Sequence, residues 1–183
     1  MAERKSERGH KTVTIIDFEA CSLGSASYPI EVGVALAPRA DQPLHVWSTL
    51  TSPHSSWSPG VWDVRAERIH GIAQSTLENG LSATATMLKL NALLGPLGTV
   101  YCDGGDFDRF WFERLCRAAP LITPEFQLHD VSKLFVGDQR ALSCMNEALD
   151  RSPPPHRAGP DAARLCQATY DALASSSLSL LAT

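Results

Sequence analysis

The chain has 183 residues, of which 44% are hydrophobic and 20% charged, enough for one domain with a sizeable core. Its formal net charge of -4 argues against holding nucleic acid by bulk electrostatics, although a nucleic acid stays possible as a substrate. No apolar run approaches the roughly 20 residues of a membrane span, and the polar N-terminal residues are followed by no apolar segment typical of a signal peptide. A soluble α/β protein with a cytoplasmic location and no membrane partner is therefore expected.

The first half of the chain predicts three strands and two helices. Residues 1–11 are polar and charged, and we expect a mobile tail there. Strands are predicted, from alternating and β-branched segments, at residues 13–19, 30–36 and 44–50. Short connections between them favour an antiparallel meander. A short helical candidate covers 61–71, and Ser82 or Thr84 caps a helix that Gly95 and Pro96 end.

The second half predicts an alternation of strands and helices. A brief strand at 98–102 opens into a glycine-bearing turn and a helix that ends before Pro120. A short strand at 126–129 follows, and then Asp130, a predicted cap of a turn. Helices are predicted at residues 140–149 and from about 159 through 173. The expected organisation is one domain at 12–175 and a C-terminal tail at 176–183.

The first predicted strand ends in two carboxylates separated by one residue, Asp17 and Glu19. Because side chains alternate along a strand, both point to the same face, about 7 Å apart along the chain. Like charges repel there, and a divalent cation is the plainest way to hold both ionised. An isolated Asp-x-Glu is more often a turn cap beside a solvated carboxylate, so a metal site needs further ligands.

Further candidates stand near the ends of later elements: Asp108 at the start of a helix, and His156 with Asp161 around the start of the last helix. Carboxylates suit Mg²⁺ or Mn²⁺, and two such ions about 4 Å apart stabilise the attacking and leaving oxygens of a displacement at phosphorus. His156 suits the general base, because the carboxylates are committed to metal. Taken alone, His156 and Asp161 are better explained as a loop residue and a helix cap.

Several segments, in order along residues 12–172, resemble the DEDDh group of 3′-to-5′ exonucleases, which includes the proofreading subunit of bacterial DNA polymerase III, ribonuclease T and oligoribonuclease. The segments that carry the resemblance are Ile15-Ile16-Asp17-Phe18-Glu19, Pro29-Ile30-Glu31-Val32-Gly33-Val34, Ile69-His70-Gly71-Ile72, Phe107-Asp108 and His156-Arg157-Ala158-Gly159-Pro160-Asp161-Ala162. Each motif is weak alone, and their ordered conjunction is specific.

The resemblance implies an α/β, ribonuclease H-like fold: a mixed five-stranded sheet, its first three strands antiparallel, flanked by helices. It also implies hydrolysis of the terminal phosphodiester at the 3′ end of single-stranded DNA or RNA, releasing nucleoside 5′-monophosphates. Carried over by position, Asp17 is the ligand shared by two Mg²⁺ or Mn²⁺ ions. Glu19 and Asp161 then bind the ion on the nucleophile side, Asp108 binds the other directly or through water, and His156 is the general base.

Departures from the family pattern concern the substrate. Many members follow the glutamate with Thr-Gly, where this chain has Ala20-Cys21-Ser22-Leu23. Backbone contacts to the terminal 3′-hydroxyl are therefore expected to survive, while side-chain contacts differ. Leu23, His70 and Ile72 are base-packing candidates by resemblance, with ordinary loop and core packing as the alternative.

The second motif also departs from the pattern. Many members carry His-Asn before Phe-Asp, where this chain has Cys102-Asp103-Gly104-Gly105-Asp106. Asp103 and Asp106 are thus alternatives to Asp108 as the second-motif ligand, and Asp108 is preferred because it keeps the Phe-Asp context.

Two other functions fit parts of the sequence. A catalytically silent nucleic-acid-binding or polymerase-associated module on the same fold is the main alternative, and retention of all five catalytic residue types argues against it. A metal-stabilised domain with no nucleic-acid role is the second, and the ordered motifs argue against it. The sequence leaves open the preference for DNA or RNA, the oligomeric state and any partner polymerase.

Overall fold

A computed structural model describes residues 13–37, 43–103 and 106–179, so the predicted tail at 1–11 lies outside the described residues. Its strands are β1 (Thr14–Ala20), β2 (Pro29–Leu36), β3 (His45–Leu50), β4 (Thr99–Cys102) and β5 (Gln127–Asp130). They form one sheet in the order β3-β2-β1-β4-β5. The first three strands are antiparallel, whereas β4 runs parallel to β1 and β5 parallel to β4. This mixed sheet confirms the predicted ribonuclease H-like fold.

Helices follow the strands as the sequence predicts, with shifted ends. They are α1 (Val64–His70), α2 (Ala83–Leu94), α3 (Asp106–Ala118), α4 (Gln139–Asp150) and α5 (Ala158–Ser179). Ser82, not Thr84, caps α2, since its Oγ accepts a hydrogen bond from the Ala85 amide at 3.2 Å. Helix α5 runs past 175, so the boundary predicted there falls inside a helix. In the described part of the chain, none of the helices combines the length and hydropathy of a bilayer span.

Strands β1 and β2 are largely buried on both faces, and alternate residues of β1 enter two separate apolar clusters. Ile16 and Phe18 pack in the cluster that includes buried residues of α2 and α3. Ile15 packs in the other, which includes residues of α4 and α5. Asp17 is two residues from Ile15 and therefore points to the face that α5 covers.

Helix α5 approaches β2 closely at Gly33. A Cβ atom at this position would lie 2.1 Å from the Ala158 carbonyl carbon and 2.3 Å from the Gly159 nitrogen. No side chain fits there, so the backbone at the start of α5 lies directly against β2. This contact brings the segment that contains His156 and Asp161 next to the carboxylates of β1.

Candidate active site

Three of the predicted metal ligands meet on the α5 face of the sheet. Asp17 and Glu19 project from β1, and Asp161 projects from the first turn of α5. One carboxylate oxygen of each lies within 4.8 Å of the other two. Carboxylates this close repel one another unless a proton or a cation lies between them, so the arrangement is suited to a divalent cation.

The fourth predicted ligand, Asp108, lies in the first turn of α3 and is 5% exposed. Burial, and then the charge of Asp103, raise the pKa of Asp108 well above its ordinary value. Among the charged neighbours of Asp17, Asp108 has the largest effect on its pKa. Asp103 is more exposed than Asp108, but its charge also raises the pKa of Asp17, so Asp103 lies near the site as well. Asp106 is exposed at the start of α3. That Asp108, rather than Asp103, is the metal ligand stays a prediction.

Burial raises the pKa values of the carboxylates in this site, and neighbouring negative charge raises those of Asp17 and Glu19 further. Burial, and then the charge of Asp108, raise the pKa of Asp17 well above its ordinary value. Burial, and then the charge of Asp161, raise the pKa of Glu19 to about 7. Burial also raises the pKa of Asp161. These shifts mean that the ionised carboxylates are held together at a cost that a bound cation would offset.

Two buried oxygens indicate where such a cation would find ligands. Asp108 Oδ2 and Asp161 Oδ1 have no hydrogen-bond partner within the described residues. Buried polar atoms are rarely left unpaired, and each specific exception needs an explanation. Because carboxylate oxygens are the ligands that Mg²⁺ and Mn²⁺ prefer, the residues present fit a hard divalent cation.

His156, the predicted general base, is exposed in the segment before α5 and lines the same cavity as Glu19. Its φ of 56° lies in the left-handed region, which is uncommon for a residue with a Cβ atom. The backbone amide of Arg157 donates a hydrogen bond to Asp161 Oδ2 at 3.0 Å. The backbone next to His156 is therefore tied to a predicted metal ligand.

A cavity of about 1070 Å³ opens beside Glu19 and His156, between the loop after β1 and helix α1. Four of the predicted substrate contacts line this cavity: Ala20, Ser22, Leu23 and His70. Leu23 is 71% exposed, and Trp62 and Trp111 add aromatic surface to the walls. Its volume can hold a nucleotide end, and Glu19 of the carboxylate cluster lines it.

The other two predicted substrate contacts, Cys21 and Ile72, lie in the hydrophobic core. The Cys21 Sγ accepts a hydrogen bond from the Tyr28 amide at 3.4 Å, which turns the side chain inward. Ile72 is 4% exposed and follows the left-handed Gly71 that ends α1. Contact of either residue with substrate stays a prediction.

Glu31 is a residue of the site to which sequence reasoning gave no role beyond its strand. It lies opposite Glu19 in the pairing of β2 with β1, and its side chain is 3% exposed. Arg157 forms an ion pair with it at 2.7 Å. An acidic residue within an apolar strand is the signal that sequence offers, but its partner is 126 residues away and only the fold brings the two together.

Without divalent cations, the free energy of unfolding is expected to rise as the pH falls from about 8 to about 5. The pKa of Glu19 is about 7 in the folded protein against an ordinary 4.5, so in this window the folded state binds a proton that the unfolded state does not. The gain should be on the order of 2 kcal/mol after allowance for partial exposure.

Urea denaturation in excess chelator at the two pH values measures this effect. Glu19→Gln removes the contribution of Glu19 and should make the pH dependence shallower without abolishing it, since the pKa values of Asp17 and Asp161 are raised as well. Glu113→Gln on the exposed surface of α3 should leave the dependence unchanged. If the free energy of unfolding changed equally with pH in the parent and in Glu19→Gln, the prediction would be contradicted.

No protein-family model matches this chain, and no curated protein is significantly similar to it. Solved nuclease structures match it over most of its length. A 3′-exonuclease that recognises the 3′ end of a histone mRNA stem-loop has a TM-score of 0.69 and 16% identity, covering 92% of this chain and 84% of that one. Cell-death related nuclease 4 has a TM-score of 0.64 and 15% identity, and the match covers 90% of this chain and 64% of that one.

Exonuclease I of E. coli, solved in complex with a dA16 oligonucleotide, has a TM-score of 0.62 and 12% identity, and covers 88% of this chain and 40% of that one. At such identities the likeness shows the fold. The shared fold is the mixed, helix-flanked sheet described above.

Proposed function

We propose that this chain is a metal-dependent 3′-to-5′ exonuclease of the DEDDh group, which hydrolyses the terminal phosphodiester of single-stranded DNA or RNA and releases nucleoside 5′-monophosphates. The observation that carries the proposal is the meeting of Asp17, Glu19 and Asp161 oxygens within 4.8 Å, beside His156 and an open cavity. The fold shared with nucleases, two of them solved or named with a nucleic acid, supports it.

The proposed cofactors are two Mg²⁺ or Mn²⁺ ions. Asp17 would be shared by both, Glu19 and Asp161 would hold one, and Asp108 the other. When bound, such ions supply Lewis-acid stabilisation of negative charge at the reacting phosphate. His156 would accept a proton from the attacking water as that water forms its bond to phosphorus. The bond from phosphorus to the 3′ oxygen of the preceding nucleotide breaks, and solvent protonates the released oxygen.

His70 is suited to contact the terminal nucleotide as a neutral hydrogen-bond donor. Its Nδ1 accepts the Ile72 amide at 3.0 Å, so the ring proton lies on Nε2. Burial lowers the pKa of His70, which favours this neutral form. Within the described residues the buried Nε2 has no partner. A substrate oxygen in the adjoining cavity would supply the missing acceptor.

The cavity walls favour contact with bases rather than with a long run of phosphates. Among the described residues that line the cavity, Arg65 is the one lysine or arginine, and its charge is paired with that of Asp63 at 3.2 Å. Leu23, Val64 and Ile69 present exposed apolar surface at the same walls. Bases pack on such surfaces without sequence preference, as a single-stranded end requires.

The test uses purified protein with 5′-labelled linear strands and internally labelled circular single strands of DNA and RNA. We expect stepwise shortening from a free 3′-hydroxyl, nucleoside 5′-monophosphate as product, and no cleavage of the circle. Excess chelator should abolish hydrolysis, and Mg²⁺ or Mn²⁺, but not Ca²⁺, should restore it. Asp161→Asn, purified in the same way, controls for a contaminating nuclease.

Three other outcomes of this experiment would contradict the proposed function or indicate a different one. Full activity in excess chelator would contradict the metal mechanism, and cleavage of the circle would indicate an endonuclease. Binding of the labelled strand without hydrolysis under all conditions would favour the silent module on the same fold.

A further inference from the structure

The buried carboxylate of Glu31 lies beside the proposed active site but belongs to neither the metal ligands nor the general base. It stands opposite Glu19 across the β1–β2 pair, and directly opposed residues of an antiparallel pair share a face. Its side chain is 3% exposed. A charge so deeply buried persists only with strong partners, so the partners indicate what the residue does.

Glu31 accepts three hydrogen bonds, all from the two residues that directly follow His156. Arg157 donates from Nε to Oε2 at 2.9 Å and from Nη2 to Oε1 at 2.7 Å. The backbone amide of Ala158 donates to Oε2 at 3.0 Å. A bidentate guanidinium–carboxylate pair fixes orientation as well as distance. Both oxygens are thereby engaged, which makes Glu31 an anchor for this segment rather than a free ligand.

The anchored segment contains the conformation that most needs an anchor. His156 has a φ of 56° and follows three consecutive prolines, and residues in this region persist only where surrounding contacts specify them. Gly33, two residues along β2 from Glu31, lets the Ala158 backbone lie against the strand. The same Arg157 whose side chain binds Glu31 donates its backbone amide to Asp161.

We propose that Glu31 is a positioning residue, which holds His156 at the cavity that Glu19 also lines, through its bonds to Arg157 and Ala158. The inference rests on the proposed exonuclease function and assigns Glu31 a part in catalysis without contact with substrate. Displacement of a general base by a fraction of its working distance reduces proton transfer, and loss of such supporting contacts typically lowers activity about 10- to 100-fold.

The test compares Glu31→Gln, His156→Ala and the double variant. The glutamine keeps the volume and can accept the Ala158 amide, but its NH₂ group opposes the guanidinium, so the bidentate pair is lost. We expect kcat to fall about 10- to 100-fold with KM nearly unchanged. In the His156→Ala background, the same substitution should lower kcat by much less than in the parent, because the base is absent and only the bond from the Arg157 amide to Asp161 can transmit an effect.

Glu113→Gln is the matched control, because it removes the carboxylate of an exposed Glu113–Arg117 pair on α3 that lies at 3.3 Å. It should leave kcat unchanged in both backgrounds. Arg157→Lys keeps the charge but loses the fork, and it serves as the second variant should Glu31→Gln not fold. Circular dichroism verifies that each variant is folded at the assay temperature.

Hydrogen exchange by mass spectrometry supplies a readout that needs no activity. Amides in the peptide that spans 155–161 should exchange faster in Glu31→Gln than in the parent, while those of β4 and α3 stay unchanged. Equal losses of kcat in both backgrounds, or unchanged exchange in this peptide, would overturn the positioning role. If the parent itself releases no mononucleotide, the proposed function fails, and exchange still decides whether Glu31 anchors the segment.

Discussion

Replacement of Asp17 by Asn is expected to be the most damaging single change to hydrolysis, lowering kcat by roughly 10³-fold or more. Asp17 lies at the centre of the negative charge, where Asp108, Glu19, Asp161 and Asp103 all act on its pKa. In the proposed mechanism it contacts both ions, so its loss affects the whole metal site. Single-turnover assays with saturating Mg²⁺ measure the effect, and Asp171→Asn on α5 provides a matched change.

The same substitution should make the metal-free protein more stable. Burial and neighbouring carboxylates raise the pKa of Asp17, so its ionised form destabilises the folded state at neutral pH, and a neutral amide removes that repulsion. Thermal unfolding in excess chelator is expected to shift upward relative to the parent. A cooperative transition lost in Asp17→Asn would instead show that this carboxylate is needed to hold β1 in the fold.

The sequence was sufficient for the elements that depend on local patterns. Apolar, β-branched segments predict β1 and β2. The hydroxyl side chains of Ser82 and Thr84 predict the start of α2, which Ser82 caps. The face shared by Asp17 and Glu19 also follows from local geometry, because alternation along a strand does not depend on the rest of the chain. The 3₁₀ turn at Gln74–Asn79 lacks such a pattern and was not predicted.

The features that the sequence does not predict depend on contacts between segments that are distant along the chain. Glu31 and Arg157 are 126 residues apart, so no local rule pairs them. Gly33 has the role of admitting a helix backbone, which becomes visible only when α5 lies on β2. The left-handed conformation of His156 likewise depends on contacts of the residues that follow it, since histidine has no intrinsic preference strong enough to impose it.

Replacement of His156 by Ala separates the proposed enzyme from a silent module more sharply than any change to a metal ligand. A general base contributes typically 10²- to 10⁴-fold, and turnover should fall by about that factor. Imidazole is not a proposed ligand, so Mn²⁺ binding followed by electron paramagnetic resonance, and binding of a non-hydrolysable single strand, should be nearly unchanged. His45→Ala, an exposed change on the edge strand β3, is the matched control.

The exposure of His156 permits a further test of its chemical role. Because its side chain opens into the cavity rather than into the core, free imidazole can enter the space left by the alanine substitution. Added imidazole should therefore restore part of the turnover of His156→Ala, and none in Asp17→Asn, where a ligand rather than a base is missing. Near-parental turnover of His156→Ala with metal bound would make His156 a packing residue and would remove the histidine-containing mechanism from this protein.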